Sequence, residues 1–185
     1  SDGFVYFIKN ASQGSEFRVF AYDALSGEEI WNEQIYSRSN LTASPITDDE
    51  NVLVTGGEYG GTYCFNRWTG EQKWYSKRDN THFEEGIPAM YKNAAYLVEH
   101  TNIKSIDLGT GDANWEIEVN EEEPYLLQRN ALVDTIHQQL IWPGKNNIYA
   151  FDLETGEHKW RRPGSNSIKN PVQFENLLFL VKSNS

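Results

Sequence analysis

One pattern returns four times and limits the possible folds more than any other feature of the chain. It is a small residue, Asp or Asn two places on, then Ser/Thr-Gly, then Trp four places beyond the Gly. The copies read Ala21-Tyr22-Asp23-Ala24-Leu25-Ser26-Gly27 to Trp31 and Cys64-Phe65-Asn66-Arg67-Trp68-Thr69-Gly70 to Trp74. Two more follow, Ser105-Ile106-Asp107-Leu108-Gly109-Thr110-Gly111 to Trp115 and Ala150-Phe151-Asp152-Leu153-Glu154-Thr155-Gly156 to Trp160. The tryptophans stand 43, 41 and 45 residues apart. A sustained period of about 40–45 residues is the mark of a repeat architecture.

Each copy reads as a β-hairpin. An alternating strand enters, the Asp or Asn side chain bonds its own backbone in a turn, and the Gly admits positive φ before the next strand leaves. Upstream lie further short strand-like runs: Ser44–Thr47, Asn51–Thr55, Ala94–Val98 and Gln139–Trp142. Four strands per unit follow. A sheet that small cannot bury both faces alone, so neighbouring units must stack, and radial stacking gives a propeller. Composition agrees: 14% aromatic residues, six Trp, ten Tyr and fourteen Gly suit strands and tight turns, and the class is all-β.

The pattern A-x-D-x-x-T-G-x-x-x-W resembles the pyrroloquinoline quinone (tryptophan-docking) repeat family. Such repeats are seen in quinoprotein alcohol dehydrogenases, in the propeller lipoprotein of bacterial outer-membrane assembly and in sensor domains of some receptor kinases. The resemblance implies that the Trp of one blade packs on the Ser/Thr-Gly turn of its neighbour. Trp31, Trp74, Trp115 and Trp160 are then inter-blade staples acting with Gly27, Gly70, Gly111 and Gly156. The second and third copies depart from the pattern in Cys64 and Ser105 at the small position, Asn66 for Asp, and Trp68 inside the turn.

The expected fold is a β-propeller of four-stranded antiparallel blades, about four of them, forming an open arc of a larger propeller, for which the resemblance implies about seven or eight blades. Residues 1–185 form a single propeller segment, with 1–34 giving the last three strands of a partial blade. Blades follow at 42–77, 86–118 and 127–162, and residues 170–182 give the first two strands of a further blade. The two ends support this division, because residues 2–10 line up with 175–183 at an offset of 173, four repeat periods.

A formal net charge of −11 and a pI near 4.8 would repel a phosphate backbone, so nucleic acid is not an expected partner. No run of about 18 apolar residues spans a membrane, and the start lacks a basic region followed by an apolar core. Arg161-Arg162 reads as solvated loop charge, and the glycosylation triplets at Asn10 and Asn40 carry little weight. The lone Cys64 sits at the small position of a strand, where a buried, inert thiol is the ordinary fate.

Catalytic and metal signals are weak. His82-Phe83-Glu84-Glu85 and Asn120-Glu121-Glu122-Glu123-Pro124 read as solvated loops, and His100, His137 and His158 fall on separate repeats. No G-x-S-x-G occurs, and neither composition nor spacing points to a cofactor or a metal. The expected function is a non-catalytic scaffold that binds a protein or peptide. Its candidate face is formed by the loops near 76–87, 116–129, 161–170, 56–61 and 142–147, with Arg78, His82, Tyr125, Arg162 and the turn aromatic Trp68 as contacts. The alternatives are a fragment of a quinoprotein dehydrogenase and the sensor domain of a membrane receptor. The resemblance implies a secreted or periplasmic setting, and open blade edges lead us to expect self-association.

Overall fold

The computed structural model describes residues 3–10, 16–37, 44–56, 60–77, 87–99, 102–119, 130–144, 147–164, 168–174 and 177–182. These form antiparallel β-sheets joined by turns, with no helix among the described residues. The first sheet holds β1 (Phe4–Asn10), β2 (Glu16–Asp23) and β3 (Glu29–Tyr36). The second holds β4 (Ile46–Thr47), β5 (Asn51–Thr55), β6 (Thr62–Asn66) and β7 (Gln72–Ser76). The third holds β8 (Ala89–Tyr91), β9 (Ala94–Glu99), β10 (Asn102–Asp107) and β11 (Ala113–Glu118). The fourth holds β12 (Leu132–Asp134), β13 (Gln139–Pro143), β14 (Asn147–Asp152) and β15 (His158–Pro163), and β16 (Ile168–Phe174) pairs with β17 (Leu177–Lys182). Strands in each sheet follow chain order, as in propeller blades.

The repeated motif has a local reason at each position. The small residue lies directly across the ladder from the tryptophan: Ala21 faces Trp31, Cys64 faces Trp74, Ser105 faces Trp115 and Ala150 faces Trp160. All four small residues are fully buried, and a larger side chain there would compete with the indole for space. One residue later each ladder shifts register, a bulge that turns the chain into the hairpin. In the turn, Asp23 Oδ1 accepts from the amides of Leu25 (2.9 Å) and Ser26 (2.7 Å), and Asp152 Oδ1 does the same for Glu154 and Thr155. Asn66 serves equally well, accepting from Trp68 and Thr69, because this role needs one side-chain oxygen and no charge. The Ser/Thr hydroxyl then accepts the amide two residues on, as Thr69 does from Glu71 and Thr155 from Glu157. The glycine that follows has φ between 71° and 80° in all four turns, a region costly for any residue with a Cβ.

Packing divides the chain into two units, Ser1–Phe83 with Gly109–Gly111, and Glu84–Leu108 with Asp112–Ser185. In the first, Phe17, Val19, Ala21, Trp31 and Ile35 of the first sheet pack against Val52, Val54, Tyr63 and Phe65 of the second. In the second, Tyr96, Ile103 and Val119 pack with Leu140, Trp142, Tyr149, Phe151 and Leu153 of the fourth sheet. Each core therefore lies between blades, as expected of sheets too small to be buried alone. The outer face of the first sheet differs, since Val5 is 49% and Phe7 39% exposed, whereas their register equivalents in the fourth sheet, Leu140 and Trp142, are buried.

Candidate functional site

Two kinds of site emerge: the joints between blades, and a cavity at one of those joints. At the joints, an indole lies against the glycine of a neighbouring turn. A Cβ added to Gly70 would come within 2.8 Å of the Trp31 ring, one on Gly111 within 2.7 Å of Trp74, and one on Gly156 within 2.7 Å of Trp115. Such a close approach is possible only without a side chain. The indole also donates a hydrogen bond, from Trp31 Nε1 to the Arg67 carbonyl at 2.9 Å and from Trp115 Nε1 to the Leu153 carbonyl at 3.1 Å. A buried carbonyl in the tip of a turn has no ladder partner, and the neighbour's indole satisfies it.

Gly27 and Trp160 are placed differently. Among the described residues nothing lies within 4 Å of where a Gly27 Cβ would be, and Trp160 Nε1 donates to Gln139 Oε1 within its own sheet at 3.1 Å. A second donor at the joints was invisible in the motif. Tyr6 OH reaches the same Arg67 carbonyl at 3.4 Å, and Tyr96 OH reaches the same Leu153 carbonyl at 3.3 Å. Tyr6 and Tyr96 occupy equivalent ladder positions, opposite Ala21 and Ser105; the second and fourth sheets carry Leu53 and Ile141 there. Aligning the second strands of the repeats would have exposed this alternation. Burial pushes the Tyr96 hydroxyl up to about 12.

The expected contact residues divide. Arg78, His82 and Tyr125 lie outside the described residues. Arg162 is exposed near the end of β15, whereas Trp68 sits in the turn between the third and fourth strands of its blade. The two therefore occupy opposite ends of the repeat. Trp68 is 48% exposed but engaged, edge-on to Phe4 with centroids 5.2 Å apart and under the Arg67 guanidinium at 5.2 Å. Arg67 Nη1 is anchored on the Asp48 carbonyl at 2.8 Å.

The cavity lies in the second unit, between the third and fourth sheets, at the end of the blades that carries the first–second and third–fourth strand turns. Its volume is about 530 Å³. From the third sheet it is lined by Tyr91, Lys92, Asn93, Ala94, Tyr96, Ser105, Asp107 and Asn114, and from the fourth by Gln138, Asp152, Leu153 and Glu154. Hydrogen bonds organise the lining: Asn93 Nδ2 donates to Asp107 Oδ2 (2.6 Å), Asn114 Nδ2 to Ser105 Oγ (3.1 Å), and Gln138 Nε2 to Tyr91 OH (3.4 Å). The Lys92 ammonium rests over the Tyr91 ring at 5.1 Å. Lys159 pairs with Asp152 at 3.0 Å and, with the turn amides, holds that carboxyl below the usual range. Polar groups converging on a concavity of this size are the usual make-up of a ligand site. None of the lining residues was selected from sequence as a contact. Beside the cavity, His137 Nδ1 meets the buried Asp134 carboxylate at 2.7 Å.

The comparisons with known proteins agree on the fold. The family described as "Outer membrane protein assembly factor BamB" matches residues 8–185. Among solved structures, BamB from Moraxella catarrhalis superposes with a TM-score of 0.69 at 19% identity, covering 98% of this chain and 53% of that one. The quinohemoprotein alcohol dehydrogenase from Comamonas testosteroni superposes with a TM-score of 0.64 at 14% identity, over 97% of this chain and 38% of that one. The serine/threonine-protein kinase AfsK of Streptomyces coelicolor is 24% identical over 105 residues, 56% of this chain and 13% of the kinase. The chain thus spans about half the length of the Moraxella protein and a smaller part of the others. A match over nearly every residue, on blades whose turns and indoles repeat as described, makes this chain a member of the BamB outer membrane protein assembly factor family.

Proposed function

We propose that the chain is a non-catalytic binding scaffold that engages a protein or peptide partner in an extracytoplasmic compartment. The observation that carries this reading is the polar cavity between the third and fourth blades, held open on a frame of indole-locked sheets. The family supports it, since its description is that of an assembly factor. A rigid frame lowers the ordering cost of binding, and turns free of packing duty supply the contacts.

Two ends of the blades compete for the role, the cavity end and the loop end near Arg162. A photo-crosslinking residue placed at Glu154, on the cavity wall, or at Arg162 separates them in the full protein expressed in its host. Adducts from position 154 are expected. Adducts from position 162 alone would move the site to the loop end, and none from either would remove the scaffold reading.

A second reading, a ligand-sensing segment of a larger kinase, is favoured by the 105-residue match to AfsK. The sequence of the full gene decides it by the presence or absence of a kinase domain. Self-association through the open blade edges is checked by light scattering over a concentration series, where an unchanging monomer mass would count against it.

A further inference from the structure

The position just before each repeat tryptophan explains why the cavity exists. It holds Lys73 in the second blade and Lys159 in the fourth. Both lysines fold back onto their own blade. Lys73 Nζ donates to Asn51 Oδ1 at 2.6 Å. Lys159 Nζ meets Asp152 Oδ2 at 3.0 Å, the His137 carbonyl at 3.1 Å and the Gln138 carbonyl at 2.9 Å. In the first blade the equivalent positions hold Ile30 and Phe4.

The third blade alone has short side chains at both positions. Asn114 replaces the lysine, and Ala94 stands where Asn51 and Gln139 stand in the sister blades. The acceptors that receive the lysine in the fourth blade nevertheless have counterparts here. Asp107 corresponds to Asp152 on the ladder, and Asn93 to Gln138, since Leu108 N donates to the Asn93 carbonyl just as Leu153 N donates to that of Gln138. The Asn114 amide is turned away onto Ser105 Oγ. The cavity therefore opens where a lysine ammonium sits in the fourth blade, and its wall adds the carboxylates of Asp152 and Glu154 and the Tyr91 ring.

We propose that this cavity binds a primary alkylammonium group, the side chain of a partner's lysine, which takes the place that Lys159 takes in the fourth blade. The inference rests on the scaffold reading above and names the chemistry of the partner at that site. The fourth blade shows the mode of recognition: one carboxylate and two turn carbonyls around an ammonium with three donors. Lys92 is the competing charge in the lining, and its ammonium is occupied over the Tyr91 ring.

The test uses the full chain and n-butylammonium as the probe, titrated while the Asn114 side-chain amide is followed by NMR, with glycerol and acetate as parallel arms. Saturable binding of the ammonium alone is expected. Asn114→Lys refills the cavity from within and should weaken binding at least about tenfold, the value of one charge-assisted hydrogen bond. Asp107→Asn, which keeps the turn as Asn66 does in the second blade, should weaken it by a similar factor. Both variants are followed by the Asn93 side-chain amide, and Asp107→Asn serves if the lysine variant fails to fold. Equal binding by the variants, or glycerol or acetate saturating in place of the amine, would overturn the proposal. So would no saturation below about 100 mM, a binding free energy weaker than about 1.4 kcal/mol. These outcomes are independent of the crosslinking result. Crosslinks from position 154 without amine binding would sink only the ligand class, and amine binding without crosslinks would sink only the scaffold reading.

Discussion

Replacing Gly70 and Gly27 separately by alanine measures what an indole over a turn contributes. Both glycines have left-handed backbone, at φ 77° and 71°, and both lie in the same packing unit. Alanine therefore carries the same backbone penalty at each, about 1–2 kcal/mol. They differ in what the new methyl meets. At Gly27 it finds nothing within 4 Å among the described residues, whereas at Gly70 it meets three atoms of the Trp31 ring at 2.8, 2.9 and 3.0 Å. A rigid ring packed into a core cannot yield as a flexible chain end would, so overpacking adds about 1–3 kcal/mol. Gly70→Ala should thus cost about 2–5 kcal/mol and Gly27→Ala about 1–2 kcal/mol, read by urea unfolding with tryptophan fluorescence and with m compared between variants. In a Trp31→Ala background the Gly70→Ala cost should fall back to that of Gly27→Ala, because the clash has been removed. If the two single variants cost the same, the indole exerts no constraint on the turn and the account of the joints is wrong.

Three further outcomes follow from the geometry. Trp31→Phe keeps most of the buried ring but leaves the Arg67 carbonyl only the longer bond from the Tyr6 hydroxyl, so it should cost about 1–3 kcal/mol against about 3–5 kcal/mol for Trp31→Ala, read from the same unfolding curves. Asp152→Asn keeps the turn and loses the Lys159 pair, for a cost of about 0.5–1 kcal/mol at neutral pH. Because the Asp152 carboxyl is held low, its contribution is present above about pH 4 and disappears as pH falls further, so wild type and variant should converge in acid melts. Tyr96 behaves in the opposite sense. Its hydroxyl is raised to about 12, so its stabilising burial is complete below about pH 10 and is lost as pH rises towards 12, and Tyr96→Phe should flatten that alkaline decline.

The fold was readable because most positions of the repeated motif have a local task within their own hairpin. The oxygen of Asp23 or Asn66 closes the turn, the Gly takes positive φ, and Ala21 or Cys64 makes room for the indole across the ladder. The same logic brought the family into view. Contacts across blades made outside the repeated positions were harder to see. Tyr6 and Tyr96 meet carbonyls 61 and 57 residues away, and no local spacing marks them. Trp68 stood out as an exposed aromatic in a turn, but its partner Phe4 comes from a different sheet. The cavity was hidden for another reason: it comes from side chains that are short at positions 94 and 114, and a motif search registers what recurs, not where bulk is missing.

The fit between small residue and indole has one practical consequence. Cys64, the chain's single cysteine, lies beneath Trp74 with no accessible surface, and burial pushes its thiol up to about 12. A thiol so placed is unreactive until its strand parts from the neighbouring one. The rate at which an aromatic disulfide reagent modifies the native protein therefore acts as a clock for the opening of the second blade. It requires no engineered label, and it gives a single number against which every substitution in that blade can be timed.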